Sequence, residues 1–441
     1  MSNVDLVNWP AKRALEMISY AAKSCYEKDV PRWGKTIDVK NKLFYTGHHT
    51  TFQHTNYTFN VDNISIGDVT FGLHLANPFY NTSQRSGRFC ADMFAAPDMD
   101  FLKGYIEHYW PGSADSDVLD YISFGSHIYE KNIESATQKA AEVIREERPL
   151  ANSKYIKRNA PKMAQEQMRM VIPLIFPTFL VYTINTSALP AMYRCAWSPV
   201  LSSVTEKMAD LVLQKDPQLD FSFQRKEESG QFIELPRDFS GFFRKPVLRL
   251  KSSGDASFFV RPTPEEMQPI DLLHFTPRLM DNNVEEIKSE VEISLATMGQ
   301  DQRHRTVKRG LPRFTGGFYL PPIPSMLGIE KEVEALFRKW LSFQEKGIDN
   351  SLICVLAPYG AMVRYNKSAS YNAAIHELSK RLCWCAQEEI YHLTLLLREY
   401  LGDHPITQMM VPGCILTGKC GEGDRFCGRK LKDGHFPQRK V

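Results

Sequence analysis

Gly299-Gln300-Asp301-Gln302-Arg303-His304-Arg305 places two guanidiniums on either side of an imidazole, directly after the alternating segment Val291 to Ala296. Guanidiniums offer forked donors to phosphate oxygens and flat faces for stacking, which a lysine does not. The stretch reads as a place for a phosphate and a planar ring, with a solvated basic turn as the alternative that local composition leaves open. The segment before it predicts a strand. After it come Phe318-Tyr319-Leu320-Pro321-Pro322 and an amphipathic helix with Val333, Leu336, Phe337, Trp340 and Leu341 on one face. A proline-ended apolar run, Leu352 to Pro358, then leads into one long helix striped by Ile375, Leu378, Leu382, Ala386, Ile390, Leu393 and Leu397.

The same order of events occurs earlier in the chain. Ala11, Leu15, Ile18, Ala22 and Cys25 predict a helix behind Pro10, and a short helix from Asp38 to Tyr45 ends at Gly47. Tyr57 to Val61 alternates like a half-buried strand. Tyr80 to Phe89 is dense in hydroxyls, amides and guanidiniums around Gly87, a composition shared by anion cradles and solvated loops. Helical pattern covers Val118 to Glu147, and the apolar run Met170 to Ile184 is broken by Pro173 and Pro177. Tyr182 to Asn185 and a helical stretch from Ala188 to Leu213 follow. The charged, glycine-containing segment QRKEESGQ, 224–231, marks a linker between halves 1–225 and 226–441. Strand, polar loop, helix, proline-broken run and long helix in both halves imply an internal duplication.

A chain of 441 residues suits two or three domains, and 43% hydrophobic content supplies real cores. The net charge of +3, from 54 basic and 51 acidic residues, gives no overall field for nucleic acid or an anionic membrane, so any anion site is local. Met1 to Pro10 lacks the pattern of a signal peptide and Met170 to Ile184 is too short to span a bilayer, so a cytoplasmic protein is expected. An odd count of 9 cysteines argues against a secreted disulfide framework. His48, His49 and His54 fit no closed zinc pattern. Cys414, Cys420 and Cys427, with His404 or His435 as a fourth ligand, would close a structural zinc site. Reduced cysteines in a compact tail are the other reading, with Arg429 to Val441 beyond them basic and loose.

The first half carries Gly47-His48-His49-Thr50-Thr51-Phe52-Gln53-His54, Tyr57-Thr58-Phe59, Ser86-Gly87-Arg88-Phe89, Arg169 ahead of Pro173, and Tyr182-Thr183-Ile184-Asn185. The second carries Gln300, Arg303-His304-Arg305, Arg381 and Ala386-Gln387-Glu388-Glu389-Ile390. Together these resemble the motifs of the flavin-dependent thymidylate synthases, the ThyX family, in tandem. Each half lacks what the other keeps. Leu73-His74-Leu75 stands where Arg-His-Arg belongs and Ala196 where Arg381 does, while Thr306 to Thr315 lacks the Ser-Gly-Arg ending and Cys354 replaces the arginine before the proline.

The resemblance implies an α+β fold, with each half a small antiparallel sheet against long helices. It implies C5 methylation of dUMP with methylenetetrahydrofolate and NADPH on FAD, at one composite site between unlike domains. Arg381, Arg303 and His304 would be catalytic, and Gln300, Arg303, Arg381, Ser86, Gly87, Arg88 and Arg169 would hold the pyrimidine nucleotide. His48, Thr50, Asn185, Arg303, His304 and Arg305 would meet the flavin. A homodimer would imitate the family's tetramer. Thr82 stands in place of the family's loop glutamate, which leaves open a dCMP acceptor or a hydroxymethyl product. A non-catalytic nucleotide-binding subunit is the remaining alternative, distinguished by lacking the yellow of a flavin.

Overall fold

The computed structural model describes residues 1–75, 80–90, 93–225, 235, 242–274, 276–423, 426–430 and 434–441. In the first half, Tyr57, Phe59 and Val61 are buried while Asn56, Asn60 and Asp62 face solvent, the period-two pattern of a strand covered on one side. β1 (Asn3–Asn8), β2 (Asn56–Ser65), β3 (Tyr80–Gln84) and β4 (Pro177–Asn185) form an antiparallel sheet in the order β1-β2-β4-β3. In the second half are β5 (Val247–Ser252), β6 (Glu286–Ser294), β7 (Lys308–Arg309), β8 (Arg313–Phe318) and β9 (Ala361–Ser370). Their order is β5-β6-β9, with β7 and β8 following one another along the outer edge of β9. The two sheets therefore share one strand order.

Around them pack α1 (Ala14–Lys23), α2 (Met99–Tyr109), α3 (Ser116–Glu147), α4 (Ser153–Met168), α5 (Ala188–Arg194) and α6 (Pro199–Lys215). The second half adds α7 (Leu295–Asp301), α8 (Glu330–Ser342), α9 (Asn350–Leu356), α10 (Tyr371–Arg381) and α11 (Glu388–Leu401). The fold is α+β, two small antiparallel sheets against helices, as expected. One apolar core takes side chains from both halves.

Ser65 and Ser294 end equivalent strands and cap the helical turns that follow, each hydroxyl accepting from a backbone N–H, of Asp68 at 2.9 Å and of Thr297 at 3.1 Å. The strand expected to run to Ala296 thus stops at Ser294, and Gly299 to Asp301 is helical rather than a turn. With the two caps aligned, His74 rather than Leu73 stands opposite Arg303, and Phe71 stands opposite Gln300.

The proline-broken runs of the two halves cross each other. Pro173 and Pro358 face one another in an antiparallel bridge flanked by reciprocal hydrogen bonds, Leu174 N to Ala357 O at 2.9 Å and Tyr359 N to Ile172 O at 3.0 Å. Proline is tolerated there because its missing N–H is not required by this short pairing. Gly67 permits the close approach, since a Cβ would lie 2.8 Å from Val355.

Two expected helices are each divided. Ala188 to Leu213 breaks into α5 and α6, with Ser198 as cap and Pro199 at the first helical position. The single long helix of the second half breaks between α10 and α11, and arginines from elsewhere take up its freed carbonyls. Arg88 and Arg148 donate to Cys385 O and Trp384 O at 3.0 and 3.1 Å, and Arg439 donates to Trp384 O at 2.8 Å and to Ala386 O. Arg439 is 4% exposed, so the C-terminal end is docked rather than loose. The proposed linker lies, from 226 onward, outside the described residues.

Among the described residues no group of three or more His, Cys, Asp or Glu is placed to hold a metal ion. A zinc site at Cys414, Cys420 and Cys427, one of the two readings of these cysteines, therefore finds no ligand set among the described residues. Cys427 instead packs in a small apolar cluster with Leu382, Trp384, Tyr391 and Leu395. Among the described residues no helix is long and apolar enough to cross a membrane.

Candidate active site

A cleft of about 380 Å³ lies where the halves meet. Ser86, Gly87 and Arg88 reach it from the loop after β3, and Arg169 from just beyond α4. The second half contributes Gln300 from α7, Arg303 from the turn after it, and Arg381 as the last residue of α10. The break after α10 leaves that guanidinium at a helix end, next to the cleft.

Gln300 joins the halves. With its amide oxygen turned to the guanidiniums, it accepts from Arg88 at 2.7 Å and Arg381 at 3.2 Å, while its backbone carbonyl accepts from Arg381 at 2.6 Å. Glu166 on α4 pairs with Arg88, and Gln165 donates to the carbonyls of Gly87 and Cys90 at 3.0 and 2.8 Å, which fixes the loop. Arg169 lies over the Tyr359 ring at 5.0 Å and donates to Gln387 at 3.2 Å. Gly87 fits closely there, since a Cβ would stand 3.1 Å from both the Arg169 guanidinium and the Phe94 ring and push on them.

The lining holds Arg85, Arg88, Arg169, Arg303 and Arg381 and no carboxylate. Burial lowers the pKa of Arg169 and Arg303 below the usual arginine value and brings Arg381 down to about 10, with neighbouring arginines adding to the effect. All remain charged near neutral pH. A buried group of like charges is costly alone and is relieved by a bound anion. The Nε atoms of Arg169 and Arg381 are buried without a hydrogen-bond partner.

The signature stretch divides in two. Gln300 and Arg303 face the cleft, three residues apart as one helical face requires. Gln302 donates to Thr70 O at 3.0 Å, and Arg305 grips β3 through Asn81 and Thr82 O. His304 is 9% exposed, lies against His376 at 5.1 Å between ring centroids, and lines neither the cleft nor its neighbouring chamber. Burial and then Arg381 push its pKa down to about 2. His48 and Thr50 are exposed and outside the cleft lining, and the Asn185 side chain accepts from the N–H groups of Ser187 and Ala188 at 3.0 and 2.8 Å. Thr82 is 8% exposed and directed inward, its hydroxyl unpartnered.

Across the interface, the place equivalent to Gln300 is filled. Phe71 is fully buried and packs on Phe314 at 5.6 Å, which in turn meets Trp340. Arg85, Glu166 and Tyr359 are site residues that the sequence motifs did not single out. Arg85 lay within the polar stretch Tyr80 to Phe89, whereas nothing local marked Glu166 or Tyr359.

Such an arginine-lined cleft, built jointly by two α+β halves around a glutamine bridge, has the chemistry of an anion site. Residues 6–215 match the family model Thy1, thymidylate synthase complementing protein, the family of the ThyX thymidylate synthases, which are in general flavin-dependent. No curated protein matches the chain.

Proposed function

We propose that the protein methylates dUMP at C5, using methylenetetrahydrofolate and NADPH on FAD, at one composite site whose two sides arose by duplication. The observation that carries this reading is Gln300 bridging Arg88 of one half and Arg381 of the other within an arginine-lined cleft. Arg88, Arg169 and Arg303, with the Ser86 hydroxyl and the backbone at Gly87, bind the nucleotide phosphate. Arg381 stabilises negative charge on the pyrimidine by favouring the N3-deprotonated ring, which makes C5 nucleophilic. Its burial keeps water from screening that charge.

Flavin contacts would draw on His304 Nδ1 and Arg305 Nε, which are buried without hydrogen-bond partners and follow Arg303 in the chain but lie outside the cleft lining. When bound, the flavin supplies the hydride that reduces the transferred carbon. The exposed His48 and Thr50 would meet a flavin if a second copy of the chain brought them to it, as a homodimer would.

A second reading, hydroxymethylation or a dCMP acceptor, is favoured by the inward-turned Thr82, which leaves the cleft without a carboxylate. The test is the flavin spectrum of the purified protein, followed by incubation with NADPH, methylenetetrahydrofolate and dUMP or dCMP and mass analysis of the nucleotide. A gain of one methyl on dUMP, reduced by about a hundredfold or more in Arg381→Ala and Arg88→Ala, is the expected result. A hydroxymethyl or cytosine product moves the second reading to first place. A colourless protein that binds dUMP without converting it leaves a binding subunit.

A further inference from the structure

A second chamber of about 320 Å³ adjoins the cleft, and the two share Arg88, Phe89, Gln300 and Arg381. The residues that belong to the second chamber alone are strongly basic. Arg158 and Lys162 stand four apart on α4, so they share one helical face, and Lys380 precedes Arg381 at the end of α10. None of these three makes an ion pair among the described residues. Arg148 also lines the chamber but is committed to Tyr155 and to the carbonyls of Cys427 and Trp384. Against these cations stand Glu166, held by Arg88, and Glu422, while the Val441 oxygen is taken by Arg439. At the junction Phe89 is 49% exposed, with Arg88 at 4.9 Å and Lys162 at 5.9 Å from its ring.

A nucleoside monophosphate is fully served by the cleft. Three further cations lining a chamber that adjoins it have no role in that contact, and their mutual repulsion is relieved by more negative charge. We propose that the second chamber receives a polyanionic tail on a ligand seated in the cleft. That tail is either the additional phosphates of a nucleoside di- or triphosphate or the glutamates of the one-carbon donor. This rests on the nucleotide reading of the cleft and extends it to the substrate form the site prefers.

The experiment is calorimetric binding to the full-length protein of dUMP, dUDP and dUTP, and separately of mono- and pentaglutamyl tetrahydrofolate. Each ligand is tested against wild type, Lys162→Ala/Lys380→Ala and the charge-retaining Lys162→Arg/Lys380→Arg. One series is expected to tighten about tenfold or more as anionic groups are added. The ratio between its longest and shortest members falls to about one in the alanine variant and survives in the arginine variant. Because the ratio is taken within one variant, a general loss of fold does not imitate this result. Tightening in the nucleotide series identifies phosphates, and tightening in the folate series identifies glutamates. Binding of dUMP with neither series tightening overturns the chamber and leaves the cleft reading intact. Failure of every nucleotide to bind removes the cleft reading and the chamber with it.

Discussion

Asp301 shows how a basic signature is held in place by a buried acid. Its side chain is fully buried and accepts from Arg309 Nε at 2.5 Å, Tyr365 OH at 2.7 Å and Lys367 Nζ at 2.5 Å. Burial works to raise its pKa, but Arg309 and Lys367 win and hold the carboxyl well below the usual range. Gln300 precedes it and Arg303 follows in the next turn, so the network fixes both cleft side chains. Asp301→Asn leaves Arg309 and Lys367 with Glu377 as their remaining carboxylate partner, and a loss of about 3 kcal/mol is expected in urea unfolding, with weaker dUMP binding. Unchanged unfolding midpoints would show that the network carries no such weight. At this scale the sequence displayed the residue types needed for anion binding but not their directions. Which of Gln300 to Arg305 face the cleft depends on where α7 ends, and that is set by Ser294 at one end and Arg309 contacts at the other. Glu166 was hidden because its partner, Arg88, lies 78 residues away in the chain.

The elements carry paired but rearranged polar cores. In the first half the Asp68 carboxylate, after β2, accepts from Ser65 at 2.6 Å and from Ser198 at the cap of α6 at 2.8 Å. In the second half the carboxylate sits on α11 instead, with Glu389 accepting from Ser294 N at 2.8 Å, Ser294 Oγ at 2.5 Å and Thr297 Oγ1 at 2.6 Å. Burial raises Asp68 to about 6 and Glu389 to about 7. Burial, followed by nearby arginines, lowers His74 to about 3 and His304 to about 2. The raised carboxyls keep a proton in the fold that the unfolded chain releases above about 4, so their stabilisation fades as pH rises through 6 to 7. The lowered histidines stay neutral in the fold, so their contribution is present above about 6.5 and fades on acidification. Glu389→Gln removes one opposing contribution and is expected to steepen the stability loss between pH 7 and 5 by about 1 kcal/mol per pH unit. His304→Gln should lessen it by a similar amount. Parallel stability profiles for the three proteins in chemical denaturation would exclude this balance. β2 and the end of β6 were readable because alternation survives there in a single sequence, whereas β3 lay within a stretch whose polar composition read as a loop. The break between α10 and α11 was not, since Leu382 and Ala386 continue the apolar stripe and the carbonyls are satisfied by arginines from distant segments.

The whole molecule joins two sheets of one strand order through the reciprocal bridge at Pro173 and Pro358, and this arrangement decides where the site can form. The repeated order of patterns, and the sharing of motifs between halves, were legible in the sequence. That both contributions meet inside one chain was not, because spacing along the sequence carries no information on which copy's halves face each other. In the structure, Arg88 and Arg381 share the Gln300 amide within a single chain, whereas the equivalent position on the other side is closed by Phe71 against Phe314. A site assembled in this way makes a sharp prediction for mixed proteins. Arg88→Ala and Arg381→Ala chains, each inactive, are co-expressed with different tags so that any dimer carrying both can be isolated. If the site is formed within one chain, every site in that mixed dimer lacks one arginine and activity stays at the level of the single variants. If the halves instead come from opposite chains, one site in each mixed dimer contains both arginines, and about half of the wild-type turnover returns. Recovery would show that the halves exchange partners between chains, and its absence would fix the composite site as the property of one polypeptide.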